Sequence, residues 1–69
     1  MAPPHNEFVT CIDVSPAKLV EVIVDGVWHA GELDAWRSQD GRWRGYVRWS
    51  FGVGMRHLGW VDQTRLRPA

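Results

Sequence analysis

From Leu19 onward the chain alternates apolar and polar residues in short β-forming runs, and turn residues interrupt the alternation where a helix would need apolar positions three and four apart. Leu19-Val20-Glu21-Val22-Ile23-Val24 reads as a strand. Asp25-Gly26 reads as a two-residue hairpin turn, because a type I′ turn needs positive φ at both central positions. Val24 then faces Val27, and Val22 faces His29. Odd positions Val27, His29, Gly31, Leu33 and Ala35 share a face with Val20, Val22 and Val24. The charges at Glu32 and Asp34 make the even face, with Trp28 and Trp36, the outer one. Gly31 is a candidate bulge that would exchange the two faces at Trp28.

The next turn can be chosen by register. A two- or four-residue loop would place Glu32 and Asp34 on the face of Trp43, Val47 and Trp49. A three-residue loop, Gln39-Asp40-Gly41, changes the parity and keeps the charges out. Leu33 and Ala35 then lie inside with Val47 and Gly45. Outside, Glu32 faces Arg48, Asp34 faces Tyr46 and Trp36 faces Arg44. A third strand follows from Arg42 to Phe51, then a glycine-rich connection over residues 52–56 and a fourth strand over 57–61. Asp62-Gln63-Thr64 reads as one helical turn, and Arg65-Leu66-Arg67 as a last strand before Pro68. The expectation is an all-β domain over residues 17–69, rolled into a small five-stranded barrel with a 3₁₀ turn before its last strand. Residues 1–16 read as a flexible arm, with a short strand over 8–14 broken at Ser15-Pro16.

Size changes the picture of the core. A chain of 69 residues forms one small domain, and the single Cys11 forbids an internal disulfide. Large aromatics must therefore supply much of the burial, at about 150–250 Å² per well-buried ring. Five tryptophans follow residue 27, and two sit in a repeated phrase fifteen residues apart, Asp25-Gly26-Val27-Trp28 and Asp40-Gly41-Arg42-Trp43. Trp43, Trp49 and Trp60 are expected to fill the interior, and Trp28 and Trp36 to face out. Cys11 is expected to be a half-buried, quiet thiol.

Two stretches resemble the SH3-like barrel group, which includes SH3, Tudor and Agenet modules. Asp40-Gly41-Arg42-Trp43-Arg44-Gly45-Tyr46-Val47 is similar to the SH3 segment Asp-Gly-Trp-Trp-x-Gly-x-Leu. Gly59-Trp60-Val61-Asp62-Gln63-Thr64-Arg65-Leu66 is similar to Gly-Tyr-Ile-Pro-Ser-Asn-Tyr-Val, in which a 3₁₀ turn precedes the final strand. The repeated Asp-Gly-x-Trp phrase is Tudor-like. The resemblance spans about residues 19–67 and implies an SH3-like fold. It also implies a changed groove: positions that in SH3 domains carry aromatic groove residues hold Arg42 and Arg65, and the groove proline is replaced by Asp62. Ordinary PxxP peptides are therefore not the expected ligand.

Charge and chemistry narrow the function class. Net charge is zero, but residues 1–35 set one lysine against six acids, and residues 36–69 set seven arginines against two aspartates. Acidic strands pairing with basic strands account for this, and a nucleic-acid face is the competing account. His5, His29, His57 and Cys11 match no zinc spacing, so no metal and no cofactor are expected. No residue pattern nominates a reaction, so the chain reads as non-catalytic. The plasmid-type dihydrofolate reductases, which are small SH3-like barrels, are a remote alternative, since their Val-Gln-Ile-Tyr phrase is missing. No apolar run spans a bilayer and no basic-then-apolar leader is read, so a cytoplasmic protein without a membrane partner is expected. The expected function is an interaction module that binds a protein partner or itself through an outer face of Trp28, Trp36, Arg42, Arg44, Tyr46, Arg48 and Arg65. The alternative is nucleic-acid binding by the arginines that alternate with Tyr46.

Overall fold

The computed structural model describes residues 9–69. The first eight residues, which begin the expected arm and include Phe8, lie outside the described residues. Five strands carry the fold: β1 (Thr10–Val24), β2 (Val27–Gln39), β3 (Arg42–Gly52), β4 (Met55–Asp62) and β5 (Leu66–Pro68). β1 pairs antiparallel with β2, β2 with β3 and β3 with β4, and β5 returns to the other side of β1 at Val20–Val22, giving the order β4-β3-β2-β1-β5. The all-β expectation holds. The sheet is open, with β4 and β5 as its two edges and no ladder between them. A 3₁₀ turn, Gln63–Arg65, joins β4 to β5, one residue later than the sequence suggests. Asp62 starts it by accepting from the Thr64 backbone N–H at 3.0 Å and from the Thr64 hydroxyl at 2.6 Å.

Both Asp-Gly pairs are two-residue turns with positive φ at each residue, 50° and 79° for Asp25 and Gly26 and 53° and 78° for Asp40 and Gly41. The first matches expectation, with Val24 opposite Val27 and Val22 opposite His29. The second corrects it, because Gln39 pairs with Arg42 and so belongs to β2 rather than to a three-residue loop. The parity change that such a loop was needed for comes from a bulge. Leu33 opposes Val47 and Ala35 opposes Tyr46, leaving Asp34 as the extra residue. The bulge is therefore at Asp34 and not at Gly31, which is buried opposite Trp49.

The bulge decides which side chains reach the core. Val20, Val22, Leu33, Val47 and Val61 are buried on one face, called inner here, and Val14, Val24, Trp36, Trp49 and Leu66 pack against them. Trp36 opposes Gly45 on this face, so its expected outward pairing with Arg44 is corrected. Its ring meets Trp43 edge-on, with centroids 6.4 Å apart. Gly45 makes the room: a Cβ there would stand 2.7 Å from Leu33 Cδ1 and 2.8 Å from Leu66 Cδ1. Trp60 is also corrected. It is 44% exposed and lies on the opposite face, beside Tyr46.

The N-terminal part of β1 is longer than expected. Thr10–Asp13 pairs with Ala35–Ser38, and the irregularity at Ser15-Pro16 is a register shift between Asp13 and Lys18 rather than the end of a strand. Cys11 is exposed opposite Arg37, which overturns the half-buried expectation. The glycine-rich connection is also shorter than expected, a Val53-Gly54 turn with Gly52 opposite Met55. No helix among the described residues is long and apolar enough to cross a membrane.

Candidate interaction face

Side chains of directly opposed residues point to the same side of a sheet, so the register alone assembles the outer face. On β3 it carries Arg42, Arg44, Tyr46 and Arg48. On β4 it carries Arg56, Leu58, Trp60 and Asp62, through the pairs Tyr46–Trp60, Arg48–Leu58 and Arg44–Asp62. Glu32 and Leu19 join through the pairs Glu32–Arg48 and Leu19–Glu32. The alternation of Arg42, Arg44 and Arg48 with Tyr46 on one strand face is thus as the sequence indicates.

The arginines differ in how they are satisfied. Arg48 is committed: its Nε donates to Asp34 Oδ2 at 2.8 Å, and its Nη2 donates to Glu32 Oε2 at 2.7 Å and Asp34 Oδ1 at 3.1 Å. Asp34 therefore binds Arg48, where the sequence reading set it against Tyr46; as the bulged residue it swings toward the guanidinium. This bonding to Asp34, with the added charge of Glu32, raises the Arg48 pKa above its ordinary value. Arg65 donates to the Ile23 carbonyl at 2.9 and 3.2 Å and pins the 3₁₀ turn to β1. Arg67 donates to Glu21 at 2.9 Å and stands 4.0 Å over the Trp28 ring. Trp28 is outward, as expected, but half-buried beneath that guanidinium.

Arg37, Arg42 and Arg44 gather at the second hairpin around a small hollow of about 120 Å³. Arg37 sits directly opposite Arg44. Only Arg42 among them makes an ion pair within the described residues, a loose 3.6 Å contact to Asp62. Bonding to the Thr64 hydroxyl and backbone, aided by Arg42 and Arg44, lowers the Asp62 pKa below its ordinary value. Among the described residues, the Arg37 Nε is buried with no hydrogen-bond partner. Nothing in the sequence pattern places Arg37 here, because only the bulge turns the odd positions of late β2 outward.

The centre of the face is apolar and open. The Tyr46 and Trp60 rings lie 4.9 Å apart. Leu58 is 57% exposed and Leu19 67%. An open groove of about 490 Å³ runs past Leu19, Ala30, Glu32, Arg48, Arg56 and Leu58. Of the residues read from the sequence as binding, Arg42, Arg44, Tyr46 and Arg48 come together here, Trp28 and Arg65 stand apart near β5, and Trp36 is on the other face. Trp60 and Leu58 were missed. The inference that a Trp in so small a chain is core material hid the first, and a lone Leu in a short strand carries no signal of its side.

The inner face ends in a second aromatic group. Phe51 meets His29 and His57 edge-on, each at 4.6 Å, and His57 stacks on Trp49 at 5.6 Å. His29 is half-buried and His57 exposed. Comparison of the chain with protein-family models, with curated proteins and with solved structures finds no match.

Proposed function

We propose that this chain is a non-catalytic, cytoplasmic module of the SH3-like barrel type that binds a protein partner, itself included, through its outer sheet face. The observation that carries this reading is the exposed Trp60 ring against the half-buried Tyr46, flanked by Leu58 and by Arg44. Aromatic and arginine side chains dominate the energetics of protein interfaces. An exposed Trp and Leu on one strand represent apolar surface that association would remove from water. The meander order and the 3₁₀ turn before β5 support the SH3-like reading. Arg42 and Arg65 at the aromatic positions of the SH3 groove argue against PxxP ligands. The lone cysteine fits a reducing compartment.

One observation favours a second reading, nucleic-acid binding. Arg37 and Arg44 are like charges directly opposite one another, an arrangement that destabilises a sheet and that a phosphate would relieve. Titration of labelled single- and double-stranded oligonucleotides at low and moderate salt separates the two. The protein-partner reading expects no binding. Micromolar binding that weakens steeply with salt, and is lost on Arg37→Ala with Arg44→Ala, would overturn it in favour of nucleic acid.

A further inference from the structure

The two edges of the sheet are protected very differently. β5 is three residues long and ends in Pro68, which has no N–H to offer. β4 is eight residues long, Met55–Asp62, and among the described residues is bonded to β3 on one side only. Natural edge strands are blunted by lysine, proline, bulges or brevity, because open N–H and C=O groups template pairing with another chain. β4 contains neither lysine nor proline, and its register to β3 is unbroken from Arg56 to Asp62.

Its outward row reads Arg56, Leu58, Trp60, Asp62. The row is complementary to itself when reversed. A two-fold axis requires one residue to oppose its own copy. With Gly59 at the axis, Arg56 opposes Asp62 of the second copy and Leu58 opposes Trp60 of the second copy, and symmetry makes each pair twice. Other centres lose this match. With Leu58 at the axis, Arg56 meets Trp60 and Asp62 meets the turn at Gly54. With Trp60 at the axis, Leu58 meets Asp62 and Arg56 meets the 3₁₀ turn. Gly59 also suits the axis sterically, since no atom lies within 4 Å of where its Cβ would be.

We propose that the partner is a second copy of this chain, docked antiparallel along the free edge of β4 in the register centred on Gly59, so that two five-stranded sheets become one. The proposal rests on the protein-partner reading and deepens it. Main-chain pairing supplies the contact, the Arg56–Asp62 pairs select the register, and Leu58 covers the exposed Trp60 beside Tyr46. Asp62 keeps an oxygen for this pairing, because its Oδ2 serves Thr64 while Oδ1 has only the loose Arg42 contact.

Sedimentation velocity from micromolar to millimolar protein tests association. A monomer–dimer equilibrium is expected. Arg56→Asp and Leu58→Lys, both at exposed positions that leave the folded monomer intact, should each weaken the dimer about tenfold or more, because every change acts twice in a symmetric interface. Cross-linking tests the register. In a Cys11→Ser background, Gly59→Cys should oxidise readily to a covalent dimer, whereas Leu58→Cys and Trp60→Cys should lag, since neither opposes itself. A monomer at every concentration would sink the proposal. So would a dimer indifferent to Arg56→Asp and Leu58→Lys, or cross-linking through residue 58 or 60 in preference to 59. A dimer formed elsewhere would remove the β4 register and leave the protein-partner reading standing. That reading falls separately, by the oligonucleotide titration.

Discussion

The two Asp-Gly hairpins are nearly the same object locally and opposite objects globally. Their turn dihedrals agree within a few degrees, and each is followed by one residue and then a tryptophan. Yet Trp28 points to the outer face under Arg67, and Trp43 points to the inner face against Trp36. The turn cannot be the cause, because both turns leave the same parity behind them. The difference arises six residues upstream of the second turn, where the bulge at Asp34 inserts one unpaired residue and exchanges the faces of everything that follows on β2. A turn sets pairing; a bulge sets facing. The first hairpin has only the turn, so its strands alternate without interruption from Lys18 to the tip. The second hairpin needs both, because Glu32 and Asp34 must stay out while Trp36 and Trp43 go in.

The most damaging test of this comparison is to make the second hairpin regular like the first. Insertion of one residue between Tyr46 and Val47 gives Asp34 an opposite number, restores simple alternation and forces either Leu33 or the Trp36–Trp43 pair onto the wrong face. Loss of the cooperative unfolding transition is expected, monitored by tryptophan fluorescence in urea. A folded insertion variant with native emission would show that the bulge is incidental.

A smaller effect is expected where the hairpins meet the core. Gly45→Ala presses a methyl group against Leu33 and Leu66, and Gly31→Ala presses one against the Arg48 carbonyl oxygen at 2.9 Å. Both should destabilise by about 1–3 kcal/mol through overpacking. Gly31 should be the worse, because a backbone oxygen in a paired strand yields less than the end of a leucine. Equilibrium urea denaturation of the two variants decides the order.

The outward Trp28 gives a gentler probe of the first hairpin. Arg67→Ala removes the guanidinium over the ring and should cost about 0.5–1 kcal/mol. Its emission contribution should also shift to the red as water reaches the indole. The matched change beside the inward Trp43, Arg42→Ala, should leave emission unmoved.

The smallest effect concerns the acid side of the pH–stability profile. The folded pKa of Asp62 is lowered, first by the Thr64 hydroxyl, then by the Thr64 N–H and by Arg42 and Arg44. Its contribution is therefore complete above the ordinary aspartate range and is lost as pH falls through the lowered folded value. Asp62→Asn should flatten that limb in thermal melts.

The strands from Leu19 onward, the first turn, the 3₁₀ turn to within one residue and the Glu32–Arg48 pair were legible in the sequence, because each depends on neighbours along the chain or on period-two alternation. The constraint behind the second hairpin was legible too: charge had to stay out and leucine in, so one residue of parity had to be added somewhere between Leu33 and Trp43. Its location was not. A third loop residue and a bulge at Asp34 satisfy Leu33 and Glu32 equally. They differ after Leu33, where the bulge turns Trp36 in and Ala35 and Arg37 out, and the inner face decides between them, since Gly45 leaves space there for an indole beside Leu33 and Leu66. The candidate face shows the same division. Arg42, Arg44, Tyr46 and Arg48 could be read from one strand. Trp60, Leu58 and Arg37 join them through pairings between strands that fix sides and neighbours by register, and the free edge of β4 exists only because the assembled sheet stops there.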